Sequence, residues 1–275
     1  MQKFVEQKFI GERAMFGAKD AEFERCGFAA GESPLKHWQN LRLKNCTFEW
    51  KYPLWYTKNV AVEGGFLMQM ARAGIWYAQD VSFKDTLIQA PKSFRRCQNV
   101  RLENVNLTQA EETLWSCVDV EIKNVCARGD YFAMNCENLR VYGLNLDGNY
   151  GFDGCKNLLV EDSKLLSKDA FWNCENVTVR NSFISGEYLA WNSKNVTFEN
   201  CGIESLQGLC YVHNLVLRSC QTLDTTLAFE YSSVDAEILG GIASVKNPLS
   251  GVIRAKEIGE IIMQKECVDP AATKI

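Results

Sequence analysis

Asp130, Asp153, Asp169 and Glu187, with Lys168 among them, are side chains of the types that perform acid–base chemistry on a sugar. Glycosidic-bond chemistry uses one carboxyl as general acid and another as base or nucleophile, so carboxylates on neighbouring turns of a chain are the arrangement it needs. These five are the candidate catalytic set. A second set could hold what they act on: Trp55, Trp76, Arg95, Trp115, Trp172 and Trp191 recur at one position of a repeat, and Tyr150 and Tyr188 stand three positions earlier in theirs. Flat amphipathic rings suit pyranose faces, and mixed charges suit hydroxyls and acidic groups. Other chemistries lack their residues. His37 and His213 are the only histidines and lie far apart, and there is no Ser-His-Asp set, HExxH, P-loop or GxGxxG motif. No metal site and no cofactor is expected.

The elements that must position these residues are set by a cadence of Asn or Asp, apolar, any, apolar. It begins at Asp20, Asn40, Asn59, Asp80, Asn99, Asp119, Asn138, Asn157, Asn176, Asn195 and Asn214, with Ser233 as a degraded copy, and so returns every 19 to 21 residues. A period this constant is that of a solenoid, each repeat being one turn of a stacked coil. The apolar columns, such as Leu41, Val60 and Val81 and then Leu43, Val62 and Phe83, alternate and are rich in β-branched residues, which predicts a strand with one face inward. Asn45, Asp85, Asn104 and Gly64 follow at a corner where a left-handed backbone is tolerated. A second short strand carries Phe48, Leu67 and Ile88 inward, and a third segment carries Leu35, Leu54, Ile75 and Phe94. Fold class is therefore all-β: a parallel β-helix of about 12 coils with three short strands each, capped at both ends. A leucine-rich repeat has a similar strand pattern, but ESPLKH, KYPLWY, GNYGFDG and GEYLAW do not read as an amphipathic helix. The expected organisation is one domain over 1–275, with a cap at 1–11, repeats over 12–240 and irregular coils or a cap over 241–275.

Residues unneeded by the core gather in the third segment. Four positions before the marker stand Phe16, Lys36, Trp55, Trp76, Arg95, Trp115, Met134, Asp153, Trp172, Trp191, Cys210 and Phe229, an outward or edge column holding five of the seven Trp. Charged residues of both signs flank it: Glu12, Glu32, Lys51, Arg72, Glu111, Asp130, Lys168 and Glu187 at one column, Arg13, Lys92, Glu112 and Asp169 at the next. Either this face binds an extended polymer, as solenoids do along their length, or its rings pack under neighbouring loops while its charges form a solvated ion-pair ladder. Cys97, Cys117, Cys136, Cys155 and Cys174 share another column, where small, poorly hydrated side chains suit a tight inner corner. A straight row cannot converge on a metal, and a strand spacing of about 4.8 Å is too wide for disulfides.

Bulk properties narrow the partners. Formal charge is −4 from 30 basic and 34 acidic residues, with no long run of either sign, so neither nucleic acid nor an anionic membrane is expected as a partner. No stretch has the length of a signal peptide or a membrane span, and no CxxC pair occurs among the 12 Cys. Reduced thiols and a cytoplasmic location are the expectation.

The turn motifs carry a resemblance. GERAMFG from Gly11, GESPLKH from Gly31, FEWKYPLWY from Phe48, RAGIWY from Arg72, PKSFRRC from Pro91, SKDAFWNCENVTV from Ser167, GEYLAWNSKNVTF from Gly186, QGLCY from Gln207 and LAFEYS from Leu227 resemble an uncharacterised bacterial domain-of-unknown-function family, number 3737, over nearly the whole chain. That family is similar in architecture to pectate-lyase-like right-handed β-helices, which implies the handedness and brings no catalytic residue. The Asn-Thr-Asp, Gly-Asp-Asp and Gly-His-Gly motifs of polygalacturonase-like hydrolases are absent, as is the calcium-binding Asp cluster with an Arg base of pectate lyases. Three functions remain open: a carbohydrate-binding or carbohydrate-processing protein using the aromatic and charged face, a non-catalytic protein-interaction or self-assembly scaffold using the same face, and an epimerase or isomerase of a small sugar.

Overall fold

The computed structural model describes all residues, 1–275, and is a parallel stacked-coil β-solenoid of about 14 turns. The chain divides into two compact units, Met1–Leu139 and Arg140–Ile275.

In the first unit the strand Gln39–Lys44 pairs in parallel with Lys19–Glu24 on one side and Lys58–Glu63 on the other. Gln79–Lys84, Gln98–Glu103 and Val118–Arg128 continue the ladder. Register is one repeat per rung, so Ala21, Leu41, Val60, Val81, Val100 and Val120 form one buried row, and Phe23, Leu43, Val62, Phe83, Leu102 and Ile122 the next. At the corner, Asn45, Asp85 and Asn104 have φ of 51°, 50° and 53°, and Gly64 has 64°. This is the left-handed region that Asn, Asp and Gly enter at least cost. The short strands Thr47–Phe48, Phe66–Leu67, Leu87–Ile88 and Asn106–Leu107 then stack in their own ladder. Residues expected as an N-terminal cap form a coil of their own: Gln2–Val5 pairs with Lys19–Glu24 and Lys8–Ile10 with Gly27–Ala29. Phe4 stacks on Phe23 and Phe9 on Phe28, with ring centroids 4.7 and 5.2 Å apart.

The second unit repeats the plan. Lys156–Glu161, Glu175–Arg180, Lys194–Glu199, His213–Thr226, Ser233–Ile238 and Ser250–Arg254 pair in parallel succession. Beyond Leu239 the coils continue, with Gly241–Lys246 and Glu257–Ile262 as a separate two-stranded parallel sheet and Thr273–Lys274 pairing with Ser250–Arg254. Asn247, in the stretch expected as irregular coils or a cap, is fully buried. Its side chain donates to Gln264 Oε1 (2.6 Å) and accepts from the Gln264 amide (2.9 Å), which braces the last coils.

The third segment is stacked coil on coil by backbone hydrogen bonds, among them Tyr56 N to Trp76 O and Asn173 N to Trp191 O, both 2.9 Å. It is a chain of turns and isolated bridges (Trp76 with Arg95, Arg95 with Trp115), not a continuous strand. The cause is backbone conformation: alternate residues are left-handed, as at Lys92, Phe94 and Arg96 (φ 58°, 56°, 52°) and at Asp169, Phe171 and Asn173 (57°, 61°, 53°). Each such non-glycine residue costs about 1–3 kcal/mol, offset here by the inter-coil bonds and by full burial of Phe94 and Phe171. Of the intervening side chains, Ser93 and Ala170 are buried, while Arg95 and Trp172, four positions before the marker, are half-buried at the surface.

Candidate functional site

Trp55, Trp76, Arg95 and Trp115 do project outward from the first unit, and all are half-buried. Trp55 and Trp76 lie face to face, with centroids 5.1 Å apart and planes at 9°. The Arg95 guanidinium is held between the next two rings, 4.6 Å from Trp76 and 4.7 Å from Trp115, and the Lys36 ammonium lies 5.7 Å from Trp55. The indole N–H of Trp76 donates to Lys92 O (2.8 Å), and that of Trp55 to Ala73 O. Both the ring faces and the polar handles are therefore used inside the protein, and what points to solvent is ring edge.

A second column runs beside the first and was not singled out in the sequence. His37 stacks on Tyr56 (5.1 Å, 13°), Tyr56 on Tyr77 (4.8 Å, 8°), and the Arg96 guanidinium lies 6.0 Å from Tyr77. These residues sit three positions before the marker in successive repeats, so registering the repeats one column further would have found them. Tyr56 is exposed, and the two columns meet edge to face, Trp55 with Tyr56 at 78° and Trp76 with Tyr77 at 78°. Glu112 closes the stack: it takes hydrogen bonds from Arg95 (2.8 Å) and Lys92 (3.0 Å). Burial works to raise its carboxyl, but the two cations outweigh burial and hold it below the usual carboxylate range.

The candidate catalytic residues divide between the units. Asp130 is half-buried in the first; Asp153, Lys168, Asp169 and Glu187 belong to the second. Lys168 and Glu187 form a 3.0 Å ion pair at the surface, with Lys168 also 5.4 Å from the Tyr188 ring. Asp153 accepts from Asn173 Nδ2 (3.0 Å). Asp169 is the unusual one: only 2% exposed, hydrogen-bonded to Tyr150, and with its Oδ1 buried and without a partner. Burial raises its carboxyl; the Lys168 charge opposes this, and Glu187 and Asp153 add to it. The oxygen that is free for chemistry is thus also shut off from solvent.

Around these carboxylates the rings pack more loosely than in the first unit. Trp172 and Trp191 are tilted by 32° at 6.3 Å, Trp191 and Tyr211 by 41° at 4.5 Å, and Tyr150 meets Trp172 and Tyr188 meets Trp191 edge-on at 88° and 86°. Cys210 and Phe229, expected in the outward column, are fully buried. Tyr211 stands three positions before Asn214, in the outward column of Tyr56 and Tyr77, and Tyr231 lies against it with ring centroids 5.3 Å apart; before Ser233 the left-handed positions fall one residue later (Leu227, Phe229, Tyr231), which turns Phe229 inward.

All 12 cysteines are free, and only Cys126 and Cys267 are exposed. In the corner column, Cys97, Cys117 and Cys174 donate to carbonyls of the preceding coil (Ile75, Phe94 and Phe152), and Ser193 in the same column does the same to Phe171. A hydroxyl replacing a thiol without change of partner marks the column as a hydrogen-bonded corner. Elsewhere in the coil, burial pushes the Cys46 thiol up to about 11 and the Cys210 thiol up to about 12, so these two are neutral at pH 7. No group of three or more His, Cys, Asp or Glu is placed to hold a metal ion. No helix is long and apolar enough to cross a membrane. Two shallow depressions lie off the aromatic face, one at Trp50, Met68, Met70 and Gln89, the other at Asp162, Lys164, Asn181 and Phe183.

A family model described as "Protein of unknown function (DUF3737)" matches residues 2–275. No curated protein matches the sequence. Solved structures similar to this chain include the TibC-glycosylated TibA fragment 55–350 (11% identity, TM-score 0.45, covering 100% of each chain). They also include PfbA, a surface adhesin of Streptococcus pneumoniae (11%, 0.42, 79% of this chain and 71% of that one). A third is the A-module of the Azotobacter vinelandii mannuronan C-5 epimerase AlgE4 (12%, 0.27, 90% and 75%). None of these likenesses bears on activity.

Proposed function

Because this chain belongs to the DUF3737 family, whose description assigns no activity, we propose a function from its own surface: a non-catalytic scaffold that docks a partner protein on the aromatic face of its first unit. The observation that carries this reading is the axial stacking of Trp55 on Trp76 and of Tyr56 on Tyr77. A sugar or a nucleobase stacks on a free ring face, and those faces are occupied. Rigid ring edges, tyrosine hydroxyls and guanidinium groups remain, which is the composition of protein-interface hot spots. Stacking also fixes these side chains in advance, so little rotamer entropy is lost on docking. The test is a photo-crosslinking residue placed at Tyr56 and, as control, at Arg42 on the long-strand face. A discrete adduct from position 56 that disappears with Tyr77→Ala supports the reading; equal adducts from both positions sink it.

A second reading, oligosaccharide binding, is favoured by the tilt of Trp172, Trp191 and Tyr211, which leaves ring faces of the second unit incompletely covered beside Lys168 and Glu187. Trp fluorescence with acidic and neutral oligosaccharides, with Trp191→Ala as control, tests it. No acid–base role is part of either reading, since Asp169 Oδ1 is shielded. Twelve free thiols suit a reducing compartment, and a cytoplasmic location is part of the proposal, to be checked by fractionation.

A further inference from the structure

The docking face of the first unit holds more positive charge than its own carboxylates neutralise. Among its cations, Lys51 is paired with Glu32 (3.2 Å), and Lys92 and Arg95 share Glu112 (3.0 and 2.8 Å). Lys36, Lys58, Arg72 and Arg96 stand on four successive coils and none forms an ion pair with a carboxylate. Lys58, Arg72 and Arg96 are exposed. Lys36 and Arg96 touch only rings, at 5.4 Å from Tyr56 and 6.0 Å from Tyr77. This is a local excess: the whole chain is net negative, at −4. The ring columns add to it, because an aromatic ring is negative on its face and positive at its edge, and here the edges point out. Unpaired cations and ring edges both attract anionic oxygen.

We infer that this face recognises an acidic segment of a partner protein, its carboxylates meeting Lys36, Lys58, Arg72 and Arg96 and its apolar side chains resting on the edges of Trp55, Trp76, Tyr56 and Tyr77. The inference rests on the docking role proposed above and gives the partner its chemistry. Two other polyanions fit the charge but not the rings. Single-stranded nucleic acid draws much of its affinity from bases stacked on aromatic faces, and a polyuronate draws its affinity from pyranose rings on the same faces; both kinds of face are occupied here. A carboxylate-bearing peptide needs no ring face, and its phenylalanine or leucine side chains pack against ring edges as readily as in a protein core. The cations sit at the rim, so they set encounter rate and salt dependence.

The experiment uses the full chain and fluorescence anisotropy with three fluorescein-labelled probes: a peptide alternating Glu with Phe and Leu, an oligogalacturonate and an oligothymidylate. The peptide is expected to bind at 50 mM salt on the order of tenfold more tightly than at 300 mM. Arg72→Glu/Arg96→Glu, which removes no ion pair and no buried contact, should weaken it on the order of tenfold at low salt. Tighter binding of either other probe, or a peptide affinity unchanged in the double variant, overturns the inference. Failure here is distinguishable from failure of the docking role: if the Tyr56 crosslink persists in the double variant while the peptide does not bind, the partner docks without acidic recognition. Circular dichroism of the double variant establishes that it is folded, and Arg72→Gln/Arg96→Gln provides a milder pair.

Discussion

Replacing Arg95 by Ala tests the stacked face where its parts are most coupled. The guanidinium gives one face to Trp76 and the other to Trp115, at 4.6 and 4.7 Å, and its edge to Glu112 at 2.8 Å. At a site that is neither dry nor fully exposed, each cation–π contact contributes about 1 kcal/mol. The charge-assisted bond to Glu112 contributes about 1.5–3 kcal/mol, of which Lys92 retains a share as second partner. Against these stands Arg95 Nε, buried without an acceptor, which costs about 1 kcal/mol that the variant recovers. The net expectation is a loss of about 2–3 kcal/mol, or roughly 5–10 °C in midpoint. Arg95→Lys keeps the charge and the Glu112 pair but loses the planar stack, so it should lose about half as much. Urea denaturation followed by Trp fluorescence gives the stability, and near-UV circular dichroism gives the packing of Trp76 and Trp115. A loss under about 0.5 kcal/mol for Arg95→Ala, or Arg95→Lys matching the native protein, would refute the sandwich as a stabilising element.

Asp169→Asn should stabilise the protein at neutral pH by about 1–3 kcal/mol, since it removes a buried charge whose Oδ1 has no partner. The sign follows from the raised carboxyl: stability present below its ordinary value is lost as pH rises through the raised one, so the advantage of Asn should fade by pH 3, as thermal melts across pH would show. Asn176→Ala breaks two ladder bonds, to Asn157 (3.0 Å) and from Asn195 (2.9 Å), at a left-handed position (φ 59°), and should cost about 2 kcal/mol in the same melts. Gly186→Ala places a Cβ 2.1 Å from the Ser167 carbonyl oxygen, so the coils must part there; a loss above about 2 kcal/mol, or insolubility on expression, is expected. A thiol-specific chromophore should titrate two cysteines, Cys126 and Cys267, in the native protein and all 12 in denaturant, and Cys174→Ser should be neutral to within about 1 kcal/mol.

The sequence displays those parts of this fold in which one column demands one kind of residue. Inward strand rows need Val, Leu, Ile or Phe, and the marker and corner columns need Asn, Asp or Gly at positive φ, so the coil, its period and its buried face are legible in the order of the amino acids. The third segment is different. Its left-handed positions hold Tyr56, Phe94, Ala133 and Asp169, residues with no preference for that conformation; stacking against the next coil imposes it. A zigzag there reads as a strand, and a one-residue slip before Ser233 sends Phe229 inside without any mark in the repeat. Likewise the Trp column is legible but the use of its ring faces is not, since face-to-face or tilted contact depends on side-chain torsions in adjacent coils. Asp169 is legible as a carboxylate in the right column; that its Oδ1 is closed off follows only from the packing around it.

The central claim is that the Trp and Tyr columns of the first unit are the surface the protein uses. Hydroxyl-radical footprinting of the protein in its own cell extract, compared with the purified protein, measures that directly. Tyr56, Tyr77 and the edge of Trp76 should be protected in the extract, while Trp50, Met68 and Met70, on another face and similarly accessible, react equally in both. Equal oxidation of the two columns in extract and in buffer, or protection confined to Trp50, Met68 and Met70, would contradict it.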